Sequence, residues 1–333
     1  MRAQRIVTIV FAVVLVGGLI AAGYFLWRAP VQQRQRGTQA TATWPLTGES
    51  APDEAATRRR VIAVKIDNIA VARPQTGLNE ADVVYEELAE GGITRFNALF
   101  QSKSPSRLGP VRSARPPDIH IVHQYNAMFG YAGANSIVEG MIAAANIDDL
   151  NFAVASGAYS RSSQRRAPHN LYVDLVELRK IAESKGYPSE ATPRELSFGK
   201  PPEGGTAATT ADVTFNASNR IVWRWDASAK AFMRSINGAP QVDTNTGAPY
   251  AAPNVIVLFA DEVQGARKGT TDFRLDTQGD ALVYRDGRRF DARWIAAEDS
   301  PPTFTTATGA DLPLAKGQTW IEVVPSSQRG RFP

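Results

Sequence analysis

Apolar and polar positions fall into three regimes along this chain. The first is unbroken: Ile6 to Trp27, "IVTIVFAVVLVGGLIAAGYFLW", is 22 residues without a charge, enough to cross a bilayer as a helix, which takes about 20. The second mixes strand-like runs with helical spacing, from "RRRVIAVKIDN" to "VELRKIAESKGY". The third is a series of short β-branched and aromatic runs, "DVTFNA", "RIVWRWD", "AFMRSI", "NVIVLFA", "ALVYRDG", "RWIAA" and "TWIEVVP". Turn signals such as Asn237-Gly238 and Asp286-Gly287 separate them. The pattern predicts a transmembrane signal anchor at 1–28, a flexible tether at 29–58, and an N-terminal α+β or α/β domain at 59–190. A Pro/Gly/Thr-rich linker at 191–210 then leads to a mainly-β C-terminal domain at 211–325, read as a small sandwich or barrel.

Only five residues precede the apolar span, so an N-inside anchor is the simplest topology, with the body outside the cytoplasm. Cleavage near Ala21-Ala22-Gly23 is the alternative, and the apolar run continuing past it favours retention. Within the tether, "WPLTG" (Trp44 to Gly48) is the one segment apolar enough to dock on the body.

In the N-terminal domain a strand from Val61 to Ile66 runs into Asp67 and Asn68. Two β-rich runs flanking Gly91-Gly92 then read as a hairpin with a primed turn. If the two glycines form the loop, Glu86 faces Asn97, Leu88 faces Arg95 and Glu90 faces Ile93. Alternation then places Glu86, Glu90, Arg95 and Asn97 on one face, and Val83, Tyr85, Phe96, Ala98 and Phe100 on the other, with Glu87 the exception. After "GPVRSARP", Pro116, Pro117 and Asp118 open a helix running to about Tyr125. "AMFGYAGAN" reads as a buried strand and small-residue loop, Ser136 and Glu139 as a capping box, and "VELRKIAESKGY" as an amphipathic helix closed by Gly186.

Composition narrows the chemistry. With no cysteine, the chain has no disulfide, thiol nucleophile or lipid-modified cysteine. Five of the 37 Lys+Arg lie in the first 36 residues, where there is no acid, so 32 basic residues remain against 33 acidic ones. The body is near neutral, which argues against a nucleic-acid reader. His120 and His123, with His169, could in principle bind zinc. His-x-x-His without a carboxylate motif is a weak pattern, so ordinary histidines are expected, with no metal and no cofactor. Ser113 between Arg112 and Arg115, with His169 as base, lacks the glycines of a nucleophile elbow. Glu86 and Glu90 are four apart on a strand, about 13 Å, too far for a glycosidase pair, which needs about 10 Å or less.

Several of these motifs together carry a resemblance. "AVKIDN", "ARPQTGLNEADVVYEELAEGGITRF", "LGPVRSARP", "APHNLY" and "GQTWIEVVP" closely resemble the YerB-like family of bacterial proteins described as lipoproteins. The resemblance runs from about Trp44 to Pro325 and takes in Trp223, Asp226, Arg234, Asn237-Gly238 and Asn254 to Val257. It implies a domain of unknown function at each end of the body, an extracytoplasmic place in the envelope and links to cell-wall synthesis, but no reaction. Two features depart from the family: the apolar span stands where many members carry a modified cysteine, and the His120/His123 pair is not part of the pattern.

The expected site is a polar cleft formed by Asp67, Asn68, Arg73, Glu86, Glu90, Arg95, Arg112, Ser113, Arg115, His169 and Asn170. So dense a charge network seldom serves stability alone, because desolvation offsets much of the attraction. One of Arg112 and Arg115 is expected to close the network on Glu86 or Glu90, leaving the other free for an anionic ligand. The expected function is a membrane-anchored binding or scaffold module whose partners are cell-wall synthesis proteins or an anionic wall component. The alternative is a wall hydrolase or transferase using Glu86, Glu90 and Asp67 with His169.

Overall fold

The structure, a computed structural model, describes residues 42–216, 218–264 and 271–332. The expected span at 6–27 lies outside them, as does the tether before residue 42. No helix among the described residues is long and apolar enough to cross a membrane. From residue 42 the chain is packed on the body: Trp44 and Leu46 are buried, and the Arg59 guanidinium lies over the Trp44 ring at 5.1 Å.

Strand Ile62–Asp67 (β1) is buried at every position, and strands Val83–Leu88 (β2) and Thr94–Phe100 (β3) form the expected hairpin beside it. Helix Pro116–Gln124 (α1) follows, its first turn closed by Asp118, whose carboxylate accepts the Arg115 amide. A three-residue strand, Met128–Gly130 (β4), runs parallel to β1. It leads into helix Ser136–Ala144 (α2), whose N-cap is Asn135 rather than the expected Ser136: its side chain accepts from the amides of Ile137 and Val138. A short hairpin, Tyr159–Arg161 (β5) with Leu171–Val173 (β6), precedes helix Leu175–Ser184 (α3), capped by Asp174. Gly186, at φ +78°, closes that helix as read from the sequence.

The longer of the remaining strands are Thr210–Asn216 (β7), Asn219–Asp226 (β8), Ala231–Ile236 (β9), Asn254–Ala260 (β10), Gln278–Arg285 (β11), Arg288–Ala297 (β12), Ser300–Thr306 (β13) and Thr319–Pro325 (β14). The region is mainly β, as expected, and left-handed Asn237-Gly238 and Asp286-Gly287 make its tight turns. It does not close into a sandwich or barrel of its own. β7, β8 and β9 belong to a five-stranded sheet, while β10 to β14 join the N-terminal strands in a ten-stranded one, its main path ordered β13-β12-β11-β10-β14-β2-β3-β1-β4 and its tenth strand, Thr206–Ala207, paired with β12. The join is β14, parallel to both β10 and β2. A strand flanked on both sides and buried on both faces is apolar throughout, and "TWIEVVP" fits that description except at Glu322.

The β2–β3 hairpin departs from its expected register by one residue. Glu86 faces Phe96 and Glu87 faces Arg95, with Leu88 opposite Thr94 as the last pair. The loop is Ala89 to Ile93 rather than the glycine pair alone, with Glu90–Gly92 in a turn and the Ala89 amide bonded to the Ile93 carbonyl. A one-residue slip moves every side chain to the opposite face. Glu86 therefore shares a face with Phe96, and Glu87 shares the other with Arg95 and Asn97.

Candidate functional site

The large sheet carries two charged clusters, one on each face. On the face covered by the five-stranded sheet, Glu86 is fully buried and ion-paired to Arg234, also buried. The Arg234 guanidinium lies 5.0 to 5.6 Å from the rings of Trp320, Phe96 and Trp223. Glu86 also accepts from Asn68 (2.9 Å) and Thr94 (2.6 Å). Its neighbour across the strands is Glu322, which accepts from the Trp223 indole at 2.8 Å. Burial, and then the Glu86 charge, push the Glu322 carboxyl well above the usual range. Arg73 and Asn68 belong to this cluster too: Arg73 donates to the Asn68 side chain and carbonyl and to Asn219 of the small sheet. Of the residues expected in the cleft, Asn68, Arg73 and Glu86 thus lie on the opposite side of the sheet, Asn68 and Glu86 sealed in the interior and Arg73 half-buried.

The other face gathers most of the rest. β4 pairs only with Ile62–Val64 of β1, and Val111 takes its place beside Ile66. At this fork the two departing segments are stitched together: Ala132 N–H donates to the Arg112 carbonyl, Ala114 N–H to the Gly133 carbonyl, and the Ser113 hydroxyl to the Ala132 carbonyl. The fork opens at the carboxyl ends of β1 and β4, which run parallel.

Beneath the fork lies a sealed ion cluster. Lys65 pairs with Glu87 and, at 2.7 Å, with Asp118, all at most 1% exposed. Asp118 also accepts from Asn97 and from the Arg115 amide, so it is the better satisfied carboxylate. Burial, with Asp118 next to it, pushes Glu87 up to about 8 against the pull of Lys65.

Above it three arginines converge. Arg95 and Arg115 both donate to the Ser113 carbonyl, at 3.1 and 3.4 Å. Arg115 pairs with Glu90 at 2.6 Å, and Arg112 with Asp67 at 3.1 Å. The same Asp67 oxygen receives His169 Nδ1 at 2.7 Å, which orients the ring and leaves Nε2 outward. Burial alone would raise Glu90, but the Arg115 hydrogen bond and charge bring it below the usual carboxylate value. Asn170 supports the hairpin loop, accepting from Arg161 and donating to the Ser162 carbonyl.

Both arginines of the "RSAR" segment are thus carboxylate-paired and half-exposed, where one was expected inward and one free. The cation without a carboxylate is Arg95. It is 4% exposed and makes no ion pair among the described residues; its Nε, like those of Arg112 and Arg115, has no hydrogen-bond partner. Burial, and then the charges of Arg115 and Arg112, lower its guanidinium to about 10. Three guanidiniums against Asp67 and Glu90 leave an excess positive charge at the rim.

The histidines do not converge. His120 lies 3.9 Å from Asp276, His123 lies 3.6 Å from Glu298 and contacts the Ala145 carbonyl, and His169 serves Asp67. No group of three or more His, Cys, Asp or Glu positioned to hold a metal occurs among the described residues. Sequence reading passed over Lys65, Glu87 and Asp118 in this cluster and Glu322 in the other. The signal was a lone charge inside an apolar strand, as in "IAVKID" and "TWIEVVP".

Comparison with known proteins agrees with this frame. Residues 46–188 match the N-terminal domain, and residues 211–321 the C-terminal domain, of the family described as protein of unknown function (DUF3048). A Bacillus subtilis (strain 168) protein described as "Putative lipoprotein YerB" is 32% identical over 286 residues, 84% of this chain and 86% of that protein. The crystal structure of YerB protein from Bacillus subtilis superposes with a TM-score of 0.79 at 31% identity, covering 85% of this chain and 97% of that one. With both domains matched in order along one continuous sheet, the chain belongs to the DUF3048 family, alongside YerB.

Proposed function

We propose that this chain is a membrane-anchored, extracytoplasmic binding module of the cell envelope, holding an anionic group of a wall component between Arg95, Arg112 and Arg115. The observation that carries the reading is Arg95, a buried guanidinium without a carboxylate beside two further arginines. Burying an unpaired charge is costly, and an anion with bidentate oxygens matches the free donors of a guanidinium. The apolar segment at 6–27 and the relative described as a lipoprotein support an envelope location. Cell-wall synthesis proteins are the alternative partners of the same surface. The test is co-sedimentation of the detergent-solubilised full chain with purified insoluble cell wall. Retention that falls with rising salt is expected; a chain that stays in the supernatant at low salt refutes the reading.

A hydrolytic reading is favoured by one contact, the 2.7 Å Asp67–His169 pair, which has the geometry of an oriented general base. Glu86 has no part in it, since it is fully buried against Arg234. Release of wall fragments that disappears with His169→Gln would support this alternative over pure binding.

A further inference from the structure

Next to the arginines, across the fork, lies a cleft of about 570 Å³ lined by Tyr131, Gly133, Glu139, Asp149, Asn151 and Phe152, with apolar residues of α2. That is the size of sites that take small organic ligands. Its floor is the Tyr131–Gly133 segment, the strand of chain to which Arg112–Ala114 is bonded from the other side. The Ala114 N–H is bonded to the Gly133 carbonyl, so the Ser113 carbonyl of the same peptide points away from the cleft, and Arg95 and Arg115, which meet on it, lie one strand beyond the rim. Gly133 keeps the rim low: it is exposed, at φ +76°, and a Cβ there would meet only the Ser113 hydroxyl, at 4.0 Å.

The two ends of this surface have opposite character. The arginine end has excess positive charge and, in Arg95, a buried donor without a partner. At the other end Asp149 accepts from Tyr131 (3.1 Å) and Asn151 (2.7 Å) but has no cationic partner among the described residues. Exposed Glu139 stands close enough to act on the Tyr131 hydroxyl, which is pushed up to about 12 by burial first and then by Asp149 and Glu139. Phe152, half-buried, supplies an aromatic wall of the same cleft, with Arg161 over its ring at 5.6 Å.

We infer that the ligand is a zwitterion, a short peptide with free termini, its carboxylate on the arginines and its ammonium toward Asp149 and Glu139. This rests on the reading of the arginine cluster as an anion site and adds the second pole. A simple anion would use the arginines and leave the acidic cleft unused or repelled. A peptide chain would satisfy both ends and place its side chains against Phe152.

The test is calorimetric titration of the detergent-solubilised full chain with trialanine, N-acetyl-trialanine, trialanine amide and inorganic phosphate. Saturable binding of trialanine is expected. Amidation should weaken it at least about tenfold, by removing a charge from a largely desolvated site. Acetylation should weaken it about fivefold, since that pole is more exposed. Glu139→Gln should reproduce the acetylation loss for trialanine and cause no further loss for the acetylated peptide. Binding of phosphate without trialanine, or equal binding of free and acetylated peptide, overturns the zwitterion while leaving the arginine site standing. Failure of both trialanine and phosphate to bind overturns the two together.

Discussion

Replacing Arg95 by methionine should uncouple stability from binding. Arg95 is 4% exposed, and burial lowers its guanidinium from the ordinary arginine value to about 10. At 1.36 kcal/mol per pH unit, this penalty on the charged form amounts to about 3 kcal/mol. Because the folded state binds the proton less tightly than the unfolded one, the penalty is fully present below about pH 10 and disappears only above the unfolded value. At neutral pH the wild type therefore carries all of it. Methionine fills similar volume without a charge, but loses the bond to the Ser113 carbonyl, a charged hydrogen bond worth about 1.5–3 kcal/mol. The difference predicts a variant between equally stable and about 2 kcal/mol more stable than wild type, read from urea denaturation at neutral pH. A loss of more than about 3 kcal/mol would show that Arg95 is a structural cation and refute the reasoning.

Three further perturbations separate the structural clusters from the site. Arg234→Ala should cost about 3–5 kcal/mol in urea denaturation, because it leaves Glu86 charged and buried without its partner. Glu87, pushed up to about 8, contributes stability that is full below its unfolded value and is lost as the pH rises through about 8. The wild-type urea midpoint should therefore fall between about pH 4.5 and about pH 8, and Glu87→Gln should flatten that fall. Asn135→Ala removes the cap of α2 and should cost about 0.5–2 kcal/mol, whereas Ser136→Ala should change stability by less than about 0.5 kcal/mol.

Most individual strands were legible because their signals are local. Seven β-rich runs in the second half became strands, and left-handed turns formed at Asn237-Gly238 and Asp286-Gly287. What escaped was pairing across long separations. "TWIEVVP" is apolar on both faces because it sits between β10 and β2, but apolarity alone does not name the neighbours. The hairpin shows how little a misreading needs. With Glu90 drawn into the turn beside the two glycines, the loop grew and Glu86 and Glu87 exchanged faces. That single step sent Glu86 into the interior with Arg234 and put Glu87 with Lys65. The structure brings the arginines of "RSAR" together with Asp67, Glu90, Arg95 and His169, residues grouped in the sequence by charge density and strand alternation. Which of them lacked a partner depended on distances that no spacing encodes, and the answer was Arg95 rather than Arg112 or Arg115.

The most direct test compares the binding of purified cell wall by wild type and Arg95→Met, each first shown to be folded by its urea transition. The account predicts that the wild type is retained and is released by salt, while the methionine variant, at least as stable, loses at least about tenfold in affinity. Equal retention of the two proteins would contradict it, because the buried guanidinium would then have no part in holding the wall.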